Sequence, residues 1–407
     1  MNALAGIRVL DFTRYLSGPT LTMLLADLGA DVIKVETLPT GDPARLSGPF
    51  HGSESVYYMA SNRNKRSLAV NLRDPAGKEI CLALAERADV FVQNFRPSVA
   101  EAMGFGYETL RERNQALVYC NISGFGMDPP GADFPGFDQT AQAMSGLMSV
   151  TGTEQTGPLR VGIAIADSST GVFGAVGILA ALLERERTGV GQRVDASLMQ
   201  SMLTLLSYQA QKYLSLGEVP GQDGNDHPLM FPQGTFAARD GMLTLASGNE
   251  RMWARLCELL GLNELVNDPR FVDNAARMAN RRELRRLIEE ALAARDVEEW
   301  VEFINAAGIP CSPVLDVGEA LEHPFTAALS MVQTVHHPIL GDLRVLGRAV
   351  NVETDGEDWL RSAPPLLGEQ SVEVCRELGY DDSKLADLLA RGVIQQPRHE
   401  SAMQAAQ

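Results

Sequence analysis

The sequence predicts an α/β protein, with a Rossmann-type parallel sheet in a large domain and a smaller α+β domain after it. Three observations carry this. Over the first 125 residues short apolar runs alternate with amphipathic helical patterns, which indicates βαβ units and a parallel sheet with helices on both faces. A polar Gly/Asp-rich stretch at 217–228 then breaks the alternation, as a domain boundary does. Beyond it the texture changes to a hairpin signal and strongly charged helices.

Taken in order, residues 7–12 (IRVLDF) read as the first strand, 18–30 as a helix begun by Gly18-Pro19, and 31–36 (DVIKVE) as the second strand. Residues 67–72 and 89–95 are further strands around a helix at 76–88; helical turns follow at 99–114 and a strand at 116–124. The Gly/Pro-rich 125–137 is a loop and 138–149 a helix. Asp167 opens a Ser-Ser-Thr-Gly turn ahead of a long apolar helix, and 194–214 has another long helical pattern. In the smaller domain 234–247 reads as two strands joined at Arg239-Asp240-Gly241, and charged helices fill 251–308. Residues 309–324 lead back towards the large domain, and 364–394 is a loop followed by helices. The expected spans are 1–216 and 326–407 for the large domain and 225–325 for the small one.

Composition narrows the classes. The 407 residues, 45% apolar and 21% charged, suit an ordinary globular protein of two or three domains. A net charge of −17 argues against broad nucleic-acid binding, though not against a local basic pocket for a phosphorylated ligand. The first twelve residues include Asp11 and no uninterrupted apolar core, so no signal peptide is expected; the most apolar run, 171–183, is too short and too rich in Gly and Ala to span a bilayer. Five scattered cysteines, never in CxxC spacing, suggest neither a disulfide framework nor a metal site, and a cytoplasmic setting is the expectation. There is no GxGxxG after the first strand, no GxxxxGK[ST], no GxSxG and no HExxH, so dinucleotide, P-loop, serine-hydrolase and zincin chemistry lose support.

Asp167 has two readings. A carboxylate at a helix start is favoured in its charged form by free N–H groups and the helix dipole, and is expected to stay ionised at neutral pH. It is then either a plain N-cap or a carboxylate nucleophile that forms an acyl intermediate. Local sequence favours the cap; the rest of the chain favours the nucleophile.

Eight blocks carry a resemblance: 6–36 (GIRVLDFTRYLSGPTLTMLLADLGADVIKVE), 52–77 (GSESVYYMASNRNKRSLAVNLRDPAG), 89–97 (DVFVQNFRP), the stretch from GLMSVTG to RVGIAIAD (146–167), 184–198 (ERERTGVGQRVDASL), 267–271 (NDPRF), 307–314 (AGIPCSPV) and 364–370 (PPLLGEQ). In these the chain resembles the class III CoA-transferases over nearly its whole length. The resemblance implies CoA transfer from an acyl-CoA to a small carboxylic acid, with CoA thioester as substrate and no metal or prosthetic group. It also implies an inserted small domain and two subunits interlocked as a homodimer, with neither nucleic acid nor membrane as partner. The family's nucleophile falls on Asp167. Its CoA contacts fall on Tyr15, Leu16 and Ser17, on Val70, Asn71, Leu72 and Arg73, on Asn94, Phe95 and Arg96, and on Phe137 and Asp138. Lys65, Arg66, Arg73 and Arg96 are candidates for the phosphates, each with a solvated surface charge as the alternative; Phe95 stacks on adenine or fills a core. Turn N–H groups near Gly171 are candidate oxyanion donors. Gly248, in SGNE at 247–250, sits where relatives carry a mobile glycine-rich loop.

Departures narrow the choice. Racemases of the same family pair their aspartate with a histidine in Gly-His-Asp, and here the tripeptide is Gly136-Phe137-Asp138; phenylalanine transfers no proton. Formyl-CoA-using members carry glutamine at Leu16 and tyrosine at Phe137, so both polar groups are lost. The texture is most similar to members that use succinyl-CoA and glutarate, which makes a dicarboxylic acceptor the expectation. A distal carboxylate needs a cation, and Arg14, Arg45 and Arg160 are the candidates, with His227 behind them. Racemisation of an acyl-CoA and non-catalytic CoA binding are the alternatives.

Overall fold

The computed structural model describes residues 2–352 and 359–397, and their contacts form two units. The larger takes the chain up to Met148, Arg160–Glu218 and the stretch from Leu329 onward; the smaller takes Ser149–Leu159 and Val219–Ala328.

The sheet of the larger unit is built from strands apolar on both faces. In β1 (Arg8–Asp11) Val9 and Leu10 are both buried and belong to separate cores, one on each side of the sheet. After α1 (Ser17–Asp27), β2 (Asp31–Thr37) lies parallel to β1, and β3 (Lys65–Val70) parallel to β2. The helix α2 (Pro75–Glu86), capped by the Asp74 side chain, returns the chain to β4 (Val90–Gln93) on the other side of β1, and β5 (Val118–Ser123) lies beside β4. Then come α3 (Asp138–Met144), α4 (Ile165–Thr188), β6 (Arg193–Ser197) parallel to β5, and α5 (Leu198–Leu205). A short last strand, β7 (Ile394–Gln395), pairs antiparallel with β3. The order is β6-β5-β4-β1-β2-β3-β7. The strand order, not the strand direction, reverses between β1 and β4, and ligands of such sheets bind outside the carboxyl ends of the strands at that switch.

One face of the sheet packs against α2 and the helices Ser371–Glu377 and Asp382–Ala390, through Ile80, Leu84, Val374, Leu385 and Leu388. The other packs against α1 and α4, through Leu21, Leu25, Ile178 and Leu182. These two helices cross closely: a Cβ at Gly171 would stand 2.9 Å from the Ser17 carbonyl oxygen, and one at Gly174 2.5 Å from Leu21 Cδ1.

Three expectations are corrected. The pattern at 194–214 is not one helix: its first residues form β6, with Asn121 donating to Asp195 across the strands at 2.7 Å, and the rest splits at Leu206 into α5 and Ser207–Leu216. The apolar run at 171–183 lies inside a helix of 24 residues, long and apolar enough to cross a membrane, but Ala175, Ile178, Ala181 and Leu182 bury it against the sheet as a core helix. The Ser-Ser-Thr-Gly expected as a turn at 168–171 is helical, because α4 begins at Ile165.

In the smaller unit, Gln233–Ala237 and Met242–Ala246 form the expected hairpin, and Cys311–Pro313 extends it antiparallel. Helices Glu250–Leu260, Arg281–Leu292 and Val297–Ala306 enclose a core of Trp253, Phe271, Leu284, Ile288 and Trp300.

Candidate active site

A cavity of about 250 Å³ opens at the carboxyl ends of β1 and β4. It is lined by Arg14–Ser17 after β1, Asn94–Pro97 after β4, Ile122–Gly124 after β5, parts of the loop before α3 including Phe134 and Phe137, Asp167 of α4 and Leu198 of α5. A larger apolar hollow of about 640 Å³, with Met127, Met144 and Met199, borders it through Ser123 and Phe134. Chemistry favours the smaller one, whose walls carry a half-buried carboxylate and two arginines at the strand-order reversal.

Asp167 is the third residue of α4, not its cap; Ala164 holds the cap position and supplies no side-chain bond. The free N–H groups at this end are taken from outside the helix. Asp138, first residue of α3, accepts at Oδ1 from the N–H of Ala166 (2.8 Å) and of Asp167 (3.3 Å). Its Oδ2 accepts from the buried Gln142 at 2.6 Å, and Gln142 in turn accepts the Val161 N–H at 2.9 Å. The carboxylate that caps α4 therefore stands beside the one in the cavity. Burial first and the Asp138 charge second push the Asp167 carboxyl up to about 6, against a hydrogen bond from Ser17 that pulls it down. The helix start does not hold this acid at an ordinary value, because burial and the Asp138 charge outweigh it.

Tyr57, on the short helix Val56–Met59, lies in the same field. Its phenol is pushed up by burial and then by the charges of Asp167, Asp42 and Asp138. Sequence reasoning missed Tyr57, Ser17's bond to Asp167 and Gln142. Two adjacent tyrosines give no sign of which is enclosed, and here Tyr58 is fully buried while Tyr57 is not.

Of the residues singled out by sequence, Arg14, Tyr15, Leu16, Ser17, Asn94, Phe95, Arg96, Phe137 and Asp167 line one cavity, and Asp138 bonds to its edge. Arg14 lies 4.8 Å from the Phe95 ring centre and donates to Thr37 at 3.3 Å; Arg96 and Phe137 are exposed. Phe95 packs against the core with Arg14 over it. The others are elsewhere. Val70 has its side chain in the core, Asn71 donates its N–H to Val393, and Leu72 and Arg73 follow β3, two strands from β1. Lys65 is wholly buried against Asp11, at 3.2 Å, with bonds to Pro19 and Asn62, so it is neither a surface charge nor a phosphate ligand. Arg66 is held by Asp31, Glu373 and Glu377. Arg45 is committed to structure: it holds Glu36 through two bonds (2.7 and 2.8 Å), with further bonds to Tyr58 and the Pro365 carbonyl. Arg160 is exposed and bonds the Val161 carbonyl at 3.2 Å. Gly171 lies within α4, where its N–H belongs to the helix ladder, so it is no oxyanion donor. Gly248 and His227 belong to the smaller unit, Gly248 in the loop before Glu250–Leu260.

Residues 4–371 match the sequence pattern of CoA-transferase family III. The chain is 37% identical over 400 residues to a succinyl-CoA:glutarate CoA-transferase of Homo sapiens, covering 98% of this chain and 91% of that one. It is 38% identical over 380 residues to an acetyl-CoA:oxalate CoA-transferase of Acetobacter aceti, covering 93% and 96%. Among solved structures, a CAIB/BAIF family protein from Brucella suis superposes with a TM-score of 0.84 at 35% identity, covering 93% of this chain and all of that one.

Proposed function

We infer the reaction from one premise: the chain belongs to CoA-transferase family III, and it is an enzyme of that class. The reading is transfer of CoA from succinyl-CoA to a small dicarboxylic acid, with Asp167 as nucleophile. The observation that carries it is the half-buried Asp167 carboxylate in the switch-point cavity, with Arg14 and Arg96 in the same walls. The acceptor class is supported by relatives named for glutarate and oxalate, and the donor by the one named for succinyl-CoA.

In this mechanism the Asp167 oxygen attacks the thioester carbonyl, the C–S bond breaks, and a mixed anhydride and CoA thiolate result. The thiolate then attacks the aspartyl carbonyl, releasing the donor carboxylate and leaving an aspartyl-CoA thioester. The acceptor carboxylate attacks that thioester, and the thiolate returns to the acceptor's acyl carbon, freeing Asp167. Every covalent form of Asp167 is uncharged. Burial and the Asp138 charge, which disfavour its carboxylate, therefore favour the acylated states. Of the two remaining clamp candidates for a distal carboxylate, Arg14 is in the cavity wall and Arg160 is not.

Racemisation is the second reading, and the cavity walls weigh against it: none of the lining residues is a histidine, and Phe137 occupies the place beside Asp138. The homodimer and cytoplasmic setting belong to the proposal. Exposed Val172, Val176 and Leu183 on α4 suit a subunit contact, and five cysteines without disulfides suit a reducing compartment.

The test is a mass-spectrometric screen of succinyl-CoA with a pool of carboxylic acids, glutarate, oxalate, itaconate, malate and carnitine included, beside Asp167→Ala. A new acyl-CoA formed by the wild type and absent with the variant supports the reading. No new acyl-CoA from any acid, with deuterium entering the α-carbon of an acyl-CoA instead, replaces it with racemisation.

A further inference from the structure

The turn after β1 has a shape that a Rossmann turn usually reaches with glycines, and this one reaches it without them. Tyr15 sits at φ +63°, the left-handed region, which is sterically unfavourable for a bulky side chain. What holds it there is a set of buried and half-buried side chains gripping the turn's backbone one group at a time. Asp11 accepts the Thr13 N–H (2.8 Å), Lys34 donates to the Thr13 carbonyl (2.9 Å), and the Asn94 amide brackets Arg14, accepting its N–H (3.0 Å) and donating to its carbonyl (2.9 Å). Asp42 accepts the Tyr15 N–H at 3.1 Å. Lys34 and Asp42 face each other at 2.9 Å with no side-chain exposure to speak of, and among the described residues this charge contact is the one engagement of Asp42 Oδ2. Four residues of the turn, Arg14 to Ser17, line the cavity.

We propose that Lys34 and Asp42 are positioning residues for the acyl-CoA: a buried ion pair that locks the Thr13–Ser17 turn, through the Thr13 carbonyl and the Tyr15 N–H, in the conformation that receives the thioester. This rests on the transferase reading above. A buried pair is weak evidence of stabilisation, because desolvation offsets the attraction. Its presence beneath a strained turn is explained if it fixes that turn instead. Glycine at position 15 adopts φ +63° without steric strain, so in Tyr15→Gly the lock has no side-chain strain to hold against.

The experiment is a double-mutant cycle on the full-length protein with Asp42→Asn and Tyr15→Gly, read by the Kd for free CoA and by KM and kcat with succinyl-CoA. Asp42→Asn in the wild-type background is expected to raise Kd and KM about tenfold with kcat changed far less, and to raise them about twofold or less in the Tyr15→Gly background. A loss that is the same in both backgrounds overturns the proposal, because a general weakening of the core is indifferent to residue 15. If Asp42→Asn alone does not fold, Lys34→Met/Asp42→Asn, which leaves neither member of the pair charged, takes its place in the same cycle. CoA bound and transferred by the wild type, with no coupling to residue 15, sinks the lock alone. A wild type that binds no CoA sinks the transferase reading and the lock with it.

Discussion

At the scale of the residue, the Asp167 carboxyl, the nucleophile proposed above, is expected to set how rate and stability respond to pH. Raised to about 6, it must lose its proton to act as a nucleophile, so kcat/KM is expected to fall as pH drops through 6. Asp138→Asn keeps an oxygen to cap Ala166 and Asp167 but removes the charge, and should move that acid limb to lower pH. An unmoved limb would mean that burial alone sets the value. Stability runs the other way. The folded protein holds this proton more tightly than the unfolded chain does, so stability falls as pH rises from the ordinary carboxyl range through 6, and the cost is fully present above it. Asp167→Asn, expected to be inactive under the proposed mechanism, should therefore be more stable than the wild type at pH 7.5, by about 3 kcal/mol at most, and show little difference at pH 4. Matched thermal melts at the two pH values check this. The sequence marks Asp167 through its approach RVGIAIAD, but its modulator Asp138 lies 29 residues earlier and meets it only through space, so the raised value was not legible.

At the scale of the element, the placing of Asp167 depends on how closely α4 can approach α1. Gly171 sits one turn after Asp167, where a Cβ would meet the Ser17 carbonyl at 2.9 Å and Leu21 N at 3.2 Å, both backbone atoms. Gly171→Val must push the helices apart. About 1–3 kcal/mol of stability should be lost, as in other overpacked contacts, and kcat should fall because Ser17 and Asp167 separate. A variant with the lowered melting temperature but unchanged kcat would show that the crossing holds the fold and not the site. Much of this level was legible. The strands at 7–12, 31–36 and 89–95 declare themselves because a two-sided parallel sheet needs continuous apolar runs. What escaped was context-dependent. β6 continues into a helix without a break residue, so VDAS reads as helix until its pairing with β5 is known. β7 has two residues and no periodicity at all. Lys65 and Arg45 look like surface cations in the sequence, and only the tertiary placing of Asp11 and Glu36 makes them internal.

At the scale of the whole molecule, the chain carries a net charge of −17 and yet leaves apolar side chains open along its long helices. On α4, Val172, Val176 and Leu183 are 48, 58 and 69% exposed, spaced to share one face. On the helix Ser207–Leu216, Tyr213, Leu214 and Leu216 are also exposed. A soluble monomer seldom presents such a surface, whereas a subunit contact uses it. The homodimer proposed from the family resemblance accounts for it. Sedimentation equilibrium should then give twice the 44.1 kDa of the chain, unchanged in high salt, because apolar burial is not screened as charge pairing is. Val176→Glu places a charge in that face and should shift the mass towards 44.1 kDa. A wild-type protein that sediments as a monomer at micromolar concentration would leave α4 exposed in solution and end the dimer proposal. A dimer that survives Val176→Glu would place the contact on other surfaces, with the helix Ser207–Leu216 the next to carry a charge.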